Sequence, residues 1–220
     1  MDLPFFKDGK FSFGKSSPES FVGIDIGLSS VKVVQLRKEE ERAVLETYGQ
    51  LRGEGYLKTI DSSATFSGFL RFMDEDISAM LKDVLRESNV TTKIAVMSIP
   101  GHACFITLVE LPKIPPSEWA TVLSFESRRY VPIPQNEVFT NWVVIEGEEE
   151  SKKMKVLFVA VPRDVISKYQ RISKLAGLDL RAIEVESFSS VRSLIGTEHA
   201  PTVMIYFGFE ATTLLVVDEG

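Results

Sequence analysis

One carboxylate, Asp25, interrupts an apolar, strand-like run just before a glycine and two serines. Asp is disfavoured in strands, and burying a carboxylate costs free energy unless it meets a cation or good hydrogen-bond donors. Gly27 allows the backbone to turn or to approach a ligand closely. The amides of such a turn, together with the Ser29 and Ser30 hydroxyls, could cradle phosphate oxygens. Asp25 would then face a hydrated Mg²⁺, which keeps several waters and takes only one or two carboxylates.

Two neighbours complete this candidate phosphate site. Leu28 lies in the turn itself, and Lys32 on the following run could add positive charge beside the phosphate. The alternative interpretation is a surface hairpin in which the Asp and Ser side chains only stabilise the turn. This segment taken alone leaves both interpretations open.

A second segment near the end of the chain repeats the pattern. Residues 205–208 echo residues 24–27, with Gly208 in the place of Gly27, and hydroxyl residues again follow the turn as Thr212 and Thr213. Tyr206 stands in the place of Asp25, and a neutral phenol cannot hold a hydrated metal ion as a carboxylate does. The echo therefore favours a pair of similar hairpins, the second of which carries a tyrosine in the place of the aspartate.

The elements that must position these residues are mixed α and β. Val- and Ile-rich runs at 21–26 and 31–36 predict a hairpin, 43–50 could add a third strand, and 202–207 with 212–217 predict a closing hairpin. Apolar residues at helical spacing predict helices near 77–85 and 165–176, with Gly177 as the stop of the second. Ser187 is expected to cap a helix that runs to Ile195. Between these elements, 105–161 predicts a strand, a helix after Pro115-Pro116, and two further strands.

Composition excludes several classes of protein. The net charge of −6 argues against a nucleic-acid partner, which needs clustered Lys and Arg. The single cysteine, Cys104, excludes an internal disulfide framework, and two histidines are too few for a Cys/His metal cluster. Without a signal-peptide pattern or an apolar run of bilayer length, we expect a cytoplasmic protein that meets the membrane only through a partner.

Five short motifs of the chain resemble those of the PilM family of type IV pilus assembly proteins, which lies within the actin, Hsp70 and sugar-kinase superfamily. They lie at residues 23–34, Ile99-Pro100-Gly101, Leu111-Pro112, 125–134 and 185–188, and the Tyr-x-Pro-x-Pro segment at 130–134 is the most diagnostic. The resemblance implies an actin-like (ribonuclease H-like) mixed sheet with helices, carrying an inserted strand-helix-strand-strand subdomain as in FtsA and PilM. The implied division is a flexible leader at 1–20, a first subdomain at 21–100 and 163–200, the insertion at 101–162, and the opening hairpin of a largely missing second half at 201–220.

The resemblance also implies a function. Such a protein is a scaffold at the cytoplasmic face of the inner membrane, peripheral to it, that captures the N-terminal peptide of a membrane partner such as PilN in the pilus assembly platform. ATP and Mg²⁺ would lie between the two hairpins, with Asp25 meeting the metal through water, and a homo-oligomer is compatible with it. Glu186 matches the position of a residue that orients the attacking water, or else is a carboxylate favoured by a helix N-terminus. The alternatives are an ATPase or phosphotransferase, which Tyr206 argues against, and an FtsA-like cell-division protein.

Overall fold

A computed structural model of the protein describes residues 20–40, 42–56, 72–145, 152–195, 200–209 and 212–218. The predicted leader at 1–20, apart from Ser20, lies outside these described residues. The acidic segment at 146–150 and all of residues 57–71 also lie outside them.

The described residues form ten strands and four α-helices, with short 3₁₀ turns between some of them. In chain order, the first strands are β1 (Ser20–Ile26), β2 (Ser30–Glu39) and β3 (Arg42–Arg52), followed by α1 (Asp74–Glu87) and β4 (Ile94–Ile99). Next come β5 (Phe105–Pro112), α2 (Trp119–Tyr130), β6 (Val138–Ile145) and β7 (Lys153–Pro162). The last elements are α3 (Arg163–Ala176), β8 (Asp179–Val185), α4 (Glu186–Leu194), β9 (Thr202–Phe207) and β10 (Thr212–Val217).

The chain divides into two compact units. The described residues up to 101 and from 168 onward form unit 1, and those between 102 and 167 form unit 2. Unit 2 therefore contains β5, α2, β6 and β7, the strand-helix-strand-strand order that the sequence predicts.

Unit 1 is built on a five-stranded sheet in the order β3-β2-β1-β4-β8. The pairs β1/β2 and β2/β3 are antiparallel, whereas β1/β4 and β4/β8 are parallel. The predicted first hairpin and third strand are thus confirmed. β9 and β10 pair with each other as a separate antiparallel two-stranded sheet, which confirms the closing hairpin.

The core of unit 1 follows from the two periodicities of its elements. Alternate residues of the strands point to one face of the sheet, and the apolar stripe of α1 packs on β2 and β3. The central buried side chains on these elements are Val22, Ile24, Ile26, Val31, Val33, Ala95, Met97, Ile99, Ile77, Met80, Leu81 and Val84.

A buried charge pair joins the start of α1 to α3. Lys168 is only 4% exposed, and its Nζ donates to Asp74 Oδ1 at 2.6 Å and to the Phe72 carbonyl oxygen at 2.5 Å. Arg171 Nε donates to the other oxygen of Asp74 at 2.6 Å. Burial alone would raise the pKa of Asp74, but the hydrogen bonds and charges of Lys168 and Arg171 outweigh it and hold that pKa below its usual range.

A second buried polar contact ties β2 to the segment that precedes β4. Gln35 is 2% exposed, and its Oε1 accepts from the Thr91 amide at 2.8 Å. Its Nε2 donates to Thr91 Oγ1 at 2.8 Å and to Glu46 Oε2 at 2.7 Å. Because both ends of the side chain are satisfied, a polar residue is tolerated at a core position.

Unit 2 is an antiparallel sheet in the order β5-β7-β6 with α2 on one face. Alternation along each strand sends one set of side chains under α2, where they form a compact cluster. The buried members of this cluster are Val109, Leu111, Leu123, Met154, Val156 and Phe158, and Trp119, Tyr130 and Trp142 pack against it.

Helix ends agree with the sequence in one case and differ in another. α3 stops at Ala176, and Gly177 has a φ of +74°, the left-handed conformation expected of a glycine stop. The predicted cap at Ser187 is wrong, because α4 follows β8 directly and begins at Glu186. Val185 occupies the N-cap position without a side-chain hydrogen bond, and Ser187 is buried within the first turn.

Candidate functional site

A transverse row of polar side chains crosses the five-stranded sheet of unit 1 at a single level. Strand register pairs Asp25 on β1 with Lys32 on β2 and with Ser98 on β4. The row continues outward on both sides, because Lys32 pairs with Gln50 on β3, and Ser98 pairs with Glu184 on β8. Since β1, β4 and β8 run parallel, this row lies towards their carboxyl ends, the edge where open α/β sheets bind ligands.

Both oxygens of Asp25 have partners in this row. Lys32 Nζ donates to Asp25 Oδ2 at 2.9 Å, and Ser98 Oγ donates to Asp25 Oδ1 at 3.1 Å. The Asp25 and Lys32 side chains are 37% and 45% exposed, so both reach solvent and a ligand could contact them. A strand carboxylate is therefore stabilised here by a cation and a hydroxyl, as its position in an apolar strand requires.

The pKa of Lys32 is raised in this site, so its side chain stays positively charged. Burial alone would lower the pKa of Lys32, but the hydrogen bond and charge of Asp25 outweigh it and raise that pKa, with smaller contributions from Tyr206 and Glu186. Hydrogen bonds join Asp25, Lys32 and Ser98 into one group of side chains.

The first turn is held by backbone hydrogen bonds. The Gly27 amide donates to the Ser30 carbonyl oxygen at 2.9 Å, and a Cβ at Gly27 would lie 3.2 Å from that oxygen. The Ser29 carbonyl accepts from the Gly53 amide at 2.8 Å, and the Ser29 side chain is exposed. Leu28 is half-buried and Ser30 is buried. Of the predicted hydroxyl pair, Ser29 is therefore the one on the surface.

Glu186 is placed at the junction between β8 and α4. Its Oε1 accepts from the Gly101 amide at 3.0 Å, so it holds the backbone just after the end of β4. The neighbouring carboxylate, Glu184, is bound instead by both terminal nitrogens of Arg192 on α4. Glu186 is also the first residue of α4, so its carboxylate lies in the first helical turn, where the helix dipole favours a negative charge.

The closing hairpin presents a different surface. Tyr206 on β9 pairs in register with Thr213 on β10, and Phe207 pairs with Thr212. Gly208 and Thr212 are exposed, Thr213 is half-buried, and Phe207 and Phe209 are among the most exposed large apolar residues described.

The donor set at Asp25 fits a hydrated Mg²⁺ with a phosphate. Asp25 is reached by solvent, Lys32 adds a cation, and each carboxylate oxygen can accept a further hydrogen bond beyond its present one. Among the described residues no group of three His, Cys, Asp or Glu side chains could hold a metal ion directly. The residues thus suit a metal held through water and phosphate better than one held in a protein cage.

Sequence reasoning missed Ser98. Its hydroxyl reaches Asp25 only because β4 lies parallel beside β1, a pairing between segments that are far apart in the chain. The one local signal was a hydroxyl residue within an otherwise apolar strand just before Pro100.

A second surface lies on unit 2, on the face of its sheet opposite α2. Leu108 on β5 and Val143 on β6 both pair with Leu157 on β7, so the three side chains form one row across the sheet. Leu108 is 54% exposed, and Ile106 and Ile145 on the same face are also exposed. We call this face the outer sheet face. Among the described strands, β5 and β6 pair only with β7, so each also has an open edge.

None of the helices in the described parts of the chain is long and apolar enough to cross a membrane.

Comparison with known proteins gives a family match over most of the chain. The family model described as Type IV pilus assembly protein PilM matches residues 23–217. The matched span includes the transverse row, all of unit 2, the second hairpin and the first hairpin from Gly23 onward.

Solved structures agree with the fold. A chain of a PilM-PilN type IV pilus biogenesis complex matches with a TM-score of 0.72 and 19% identity, over 90% of this chain and 58% of that one. The present chain thus spans less than two thirds of that relative. The cytoplasmic domain of EpsL, an inner-membrane component of the Vibrio cholerae type II secretion system, matches with a TM-score of 0.53 and 12% identity, over 91% of this chain and 71% of that domain. The predicted fold class, an actin-like α/β fold, is confirmed.

Proposed function

We propose that this chain, which belongs to the PilM family of type IV pilus assembly proteins, acts as an actin-like scaffold that captures the N-terminal peptide of a PilN-like membrane protein. The family membership supports the role in pilus assembly, and the solved relative is a complex of PilM with PilN. In this proposal the scaffold lies at the cytoplasmic face of the inner membrane, held there by its partner.

The observation that carries the peptide proposal is the outer sheet face of unit 2. Its row of Leu108, Leu157 and Val143 offers apolar contacts to alternate side chains of an extended peptide. The open edge of β5 or β6 offers backbone hydrogen bonds to the same peptide. An exposed apolar face beside an open strand edge is costly to leave in water and suits a partner.

A peptide titration tests this proposal. A labelled peptide with the N-terminal residues of a PilN-like protein is titrated with the wild type and with Leu108→Asn, and binding is followed by fluorescence anisotropy. We expect Leu108→Asn to weaken binding at least about fivefold, since it removes roughly 1 kcal/mol of apolar contact. Leu45→Asn is the matched control, because Leu45 is a strand residue of unit 1 that is 55% exposed.

Two outcomes would contradict the peptide proposal. One is the absence of binding at high micromolar concentrations of the wild type. The other is an equal effect of Leu108→Asn and Leu45→Asn, which would mean that the outer sheet face is not the contact surface.

We further propose that unit 1 binds the phosphates of ATP with Mg²⁺ at the transverse row. The exposed Asp25–Lys32 pair, which Ser98 orients, supports this assignment, with Asp25 meeting the metal through water. Lys32 would contact phosphate oxygens, and Ser29 on the turn is exposed beside them. We propose no hydrolytic role for Glu186, because its carboxylate is engaged by the Gly101 amide and Tyr206 stands where a second acid would be expected.

A further inference from the structure

A pocket of about 320 Å³ lies within unit 2, beside the last turn of α2 and the proline segment that follows it. We call it the α2 pocket. Its volume is at the lower end of the range for small-ligand and peptide side-chain sites. Its apolar walls are formed by Val131, Ile133, Pro134 and Val138.

The walls of the α2 pocket are fixed in advance. Val131 and Val138 are buried members of a core cluster with Ala160, so the pocket continues outward from packed interior. Gln135 ties the proline segment back to α2, because its Nε2 donates to the Ser124 carbonyl oxygen at 3.1 Å. Binding of a ligand would therefore cost little conformational entropy, because the walls of the pocket are already ordered.

The polar groups at the α2 pocket are available for a ligand. Arg128 Nε donates to Gln135 Oε1 at 2.5 Å, which orients the guanidinium, while its terminal nitrogens make no hydrogen bond to the described residues. The Asn136 and Thr140 side chains, which also line the pocket, likewise have no hydrogen bond within the described part of the chain. The lining residues include no Asp or Glu. The pocket therefore carries one positive charge that no lining residue neutralises.

The neighbouring arginine is in a different state. Arg129 NH1 pairs with Glu126 at 3.2 Å, one helical turn earlier. Both arginines lie over rings, Arg128 Cζ at 5.9 Å from the Phe125 centroid and Arg129 Cζ at 6.0 Å from that of Tyr130, but only the Phe125 ring, 62% exposed, adjoins an arginine without a carboxylate partner among the described residues. Aromatic residues and arginines are enriched in the hot spots of binding interfaces, and here an exposed aromatic ring lies against an arginine beside a pocket.

We propose that the α2 pocket binds a partner peptide in which an apolar side chain adjoins a carboxylate. The apolar side chain would fill the space between the valine, isoleucine and proline walls. The carboxylate would accept two hydrogen bonds from the terminal nitrogens of Arg128, the geometry in which arginine binds carboxylates best. This contact lies on the α2 side of the sheet, opposite the outer sheet face, so it represents a second interaction of the same unit.

A dipeptide comparison on the whole chain tests this proposal. The probes are acetyl-Leu-Asp-amide and the uncharged acetyl-Leu-Asn-amide, and binding is followed by chemical-shift changes in ¹H–¹⁵N spectra. We expect shifts centred on residues 127–140 and about tenfold tighter binding of the Asp probe, because a charge-assisted pair is worth roughly 1.4 kcal/mol more than a neutral one. Arg128→Gln should reduce the Asp probe to the affinity of the Asn probe. Arg129→Gln is the matched control and should leave both affinities unchanged.

Each other outcome would overturn the proposal. Equal binding of the two probes would show that Arg128 makes no contact with the carboxylate. An equal loss of affinity in Arg128→Gln and Arg129→Gln would show that the effect comes from net charge and not from Arg128. The absence of shifts at 127–140 would remove the site itself. Displacement of the Asp probe by a PilN-type peptide would show that this peptide itself occupies the α2 pocket, and so would refute a second, separate interaction. Amide dispersion in the same spectra is the check that both variants are folded.

Discussion

Asp25 and Ser98 face each other across the parallel strands β1 and β4, and the serine hydroxyl donates to the aspartate at 3.1 Å. On its other side the same carboxylate meets Lys32 at 2.9 Å. A charged residue within a core strand is thus made compatible with the fold by two partners from two different strands. This arrangement carries the nucleotide part of the proposed function.

The first prediction concerns this arrangement. Asp25→Asn should weaken Mg-ATP binding roughly tenfold to a hundredfold, since charge-assisted hydrogen bonds contribute about 1.5–3 kcal/mol. Ser98→Ala should weaken it about fivefold, since it removes only the orienting bond. Isothermal titration calorimetry measures both. Asp179→Asn is the control, because Asp179 pairs with Arg181 on the exposed start of β8. Unchanged binding by Asp25→Asn would refute the site, and no binding by the wild type would refute nucleotide binding altogether.

The second prediction concerns Asp74 and Lys168. Asp74→Asn should lower the free energy of unfolding by about 3 kcal/mol at pH 7, because it removes the carboxylate that pairs with the buried Lys168 ammonium at 2.6 Å. The pKa of Asp74 is lower in the folded chain than in the unfolded one. Its contribution is therefore fully present above the unfolded value of about 3.9 and is lost as pH falls through the folded value.

Urea unfolding at pH 7 and at pH 3 checks this linkage. The difference between wild type and Asp74→Asn should be large at pH 7 and smaller at pH 3, because at pH 3 the carboxyl is already protonated in the unfolded wild type. Asp179→Asn, which breaks an exposed pair, should cost less than about 1 kcal/mol at both values. A difference that does not change with pH would contradict the ionic origin of the effect.

The third prediction concerns the close approach of β3 to the end of α1. A Cβ at Gly49 would lie 1.8 Å from Ser88 Oγ and 3.0 Å from Ser88 Cβ. Gly49→Ala should therefore destabilise the protein by about 2 kcal/mol, a typical cost of overpacking. In a Ser88→Gly background the same change should cost less than about 1 kcal/mol. A double-mutant cycle by denaturant unfolding measures this coupling, and equal costs in the two backgrounds would show that the contact is not the cause.

The fourth prediction concerns Gln35. Gln35→Leu should lower the free energy of unfolding by about 2 kcal/mol, because the buried Gln35 side chain gives up its hydrogen bonds to the Thr91 amide at 2.8 Å and to Glu46 at 2.7 Å. Thermal unfolding followed by circular dichroism measures the change. Gln50→Leu, at an exposed position on β3, should lie within about 0.5 kcal/mol of the wild type. A neutral Gln35→Leu would show that water replaces the lost contact.

The sequence alone determined the local elements and the family of this protein. Apolar alternation gave both hairpins, helical spacing gave α1 and α3, and Gly177 marked a helix end, because these signals depend on neighbours a few residues apart. Asp25 was conspicuous for the same reason, since a carboxylate in an apolar strand conflicts with its immediate surroundings. The motif order led to the PilM family, which the family match confirms.

Only the tertiary structure decided which residues surround these positions. Ser98 reaches Asp25 across a parallel strand pair, Thr91 reaches Gln35, and Lys168 reaches Asp74, each over a long separation in the chain. The start of α4 at Glu186 and the engagement of that side chain by Gly101 likewise depend on where β4 ends beside β8. Residue spacing along the chain cannot predict such contacts, because strand order and helix packing across the whole sheet determine them.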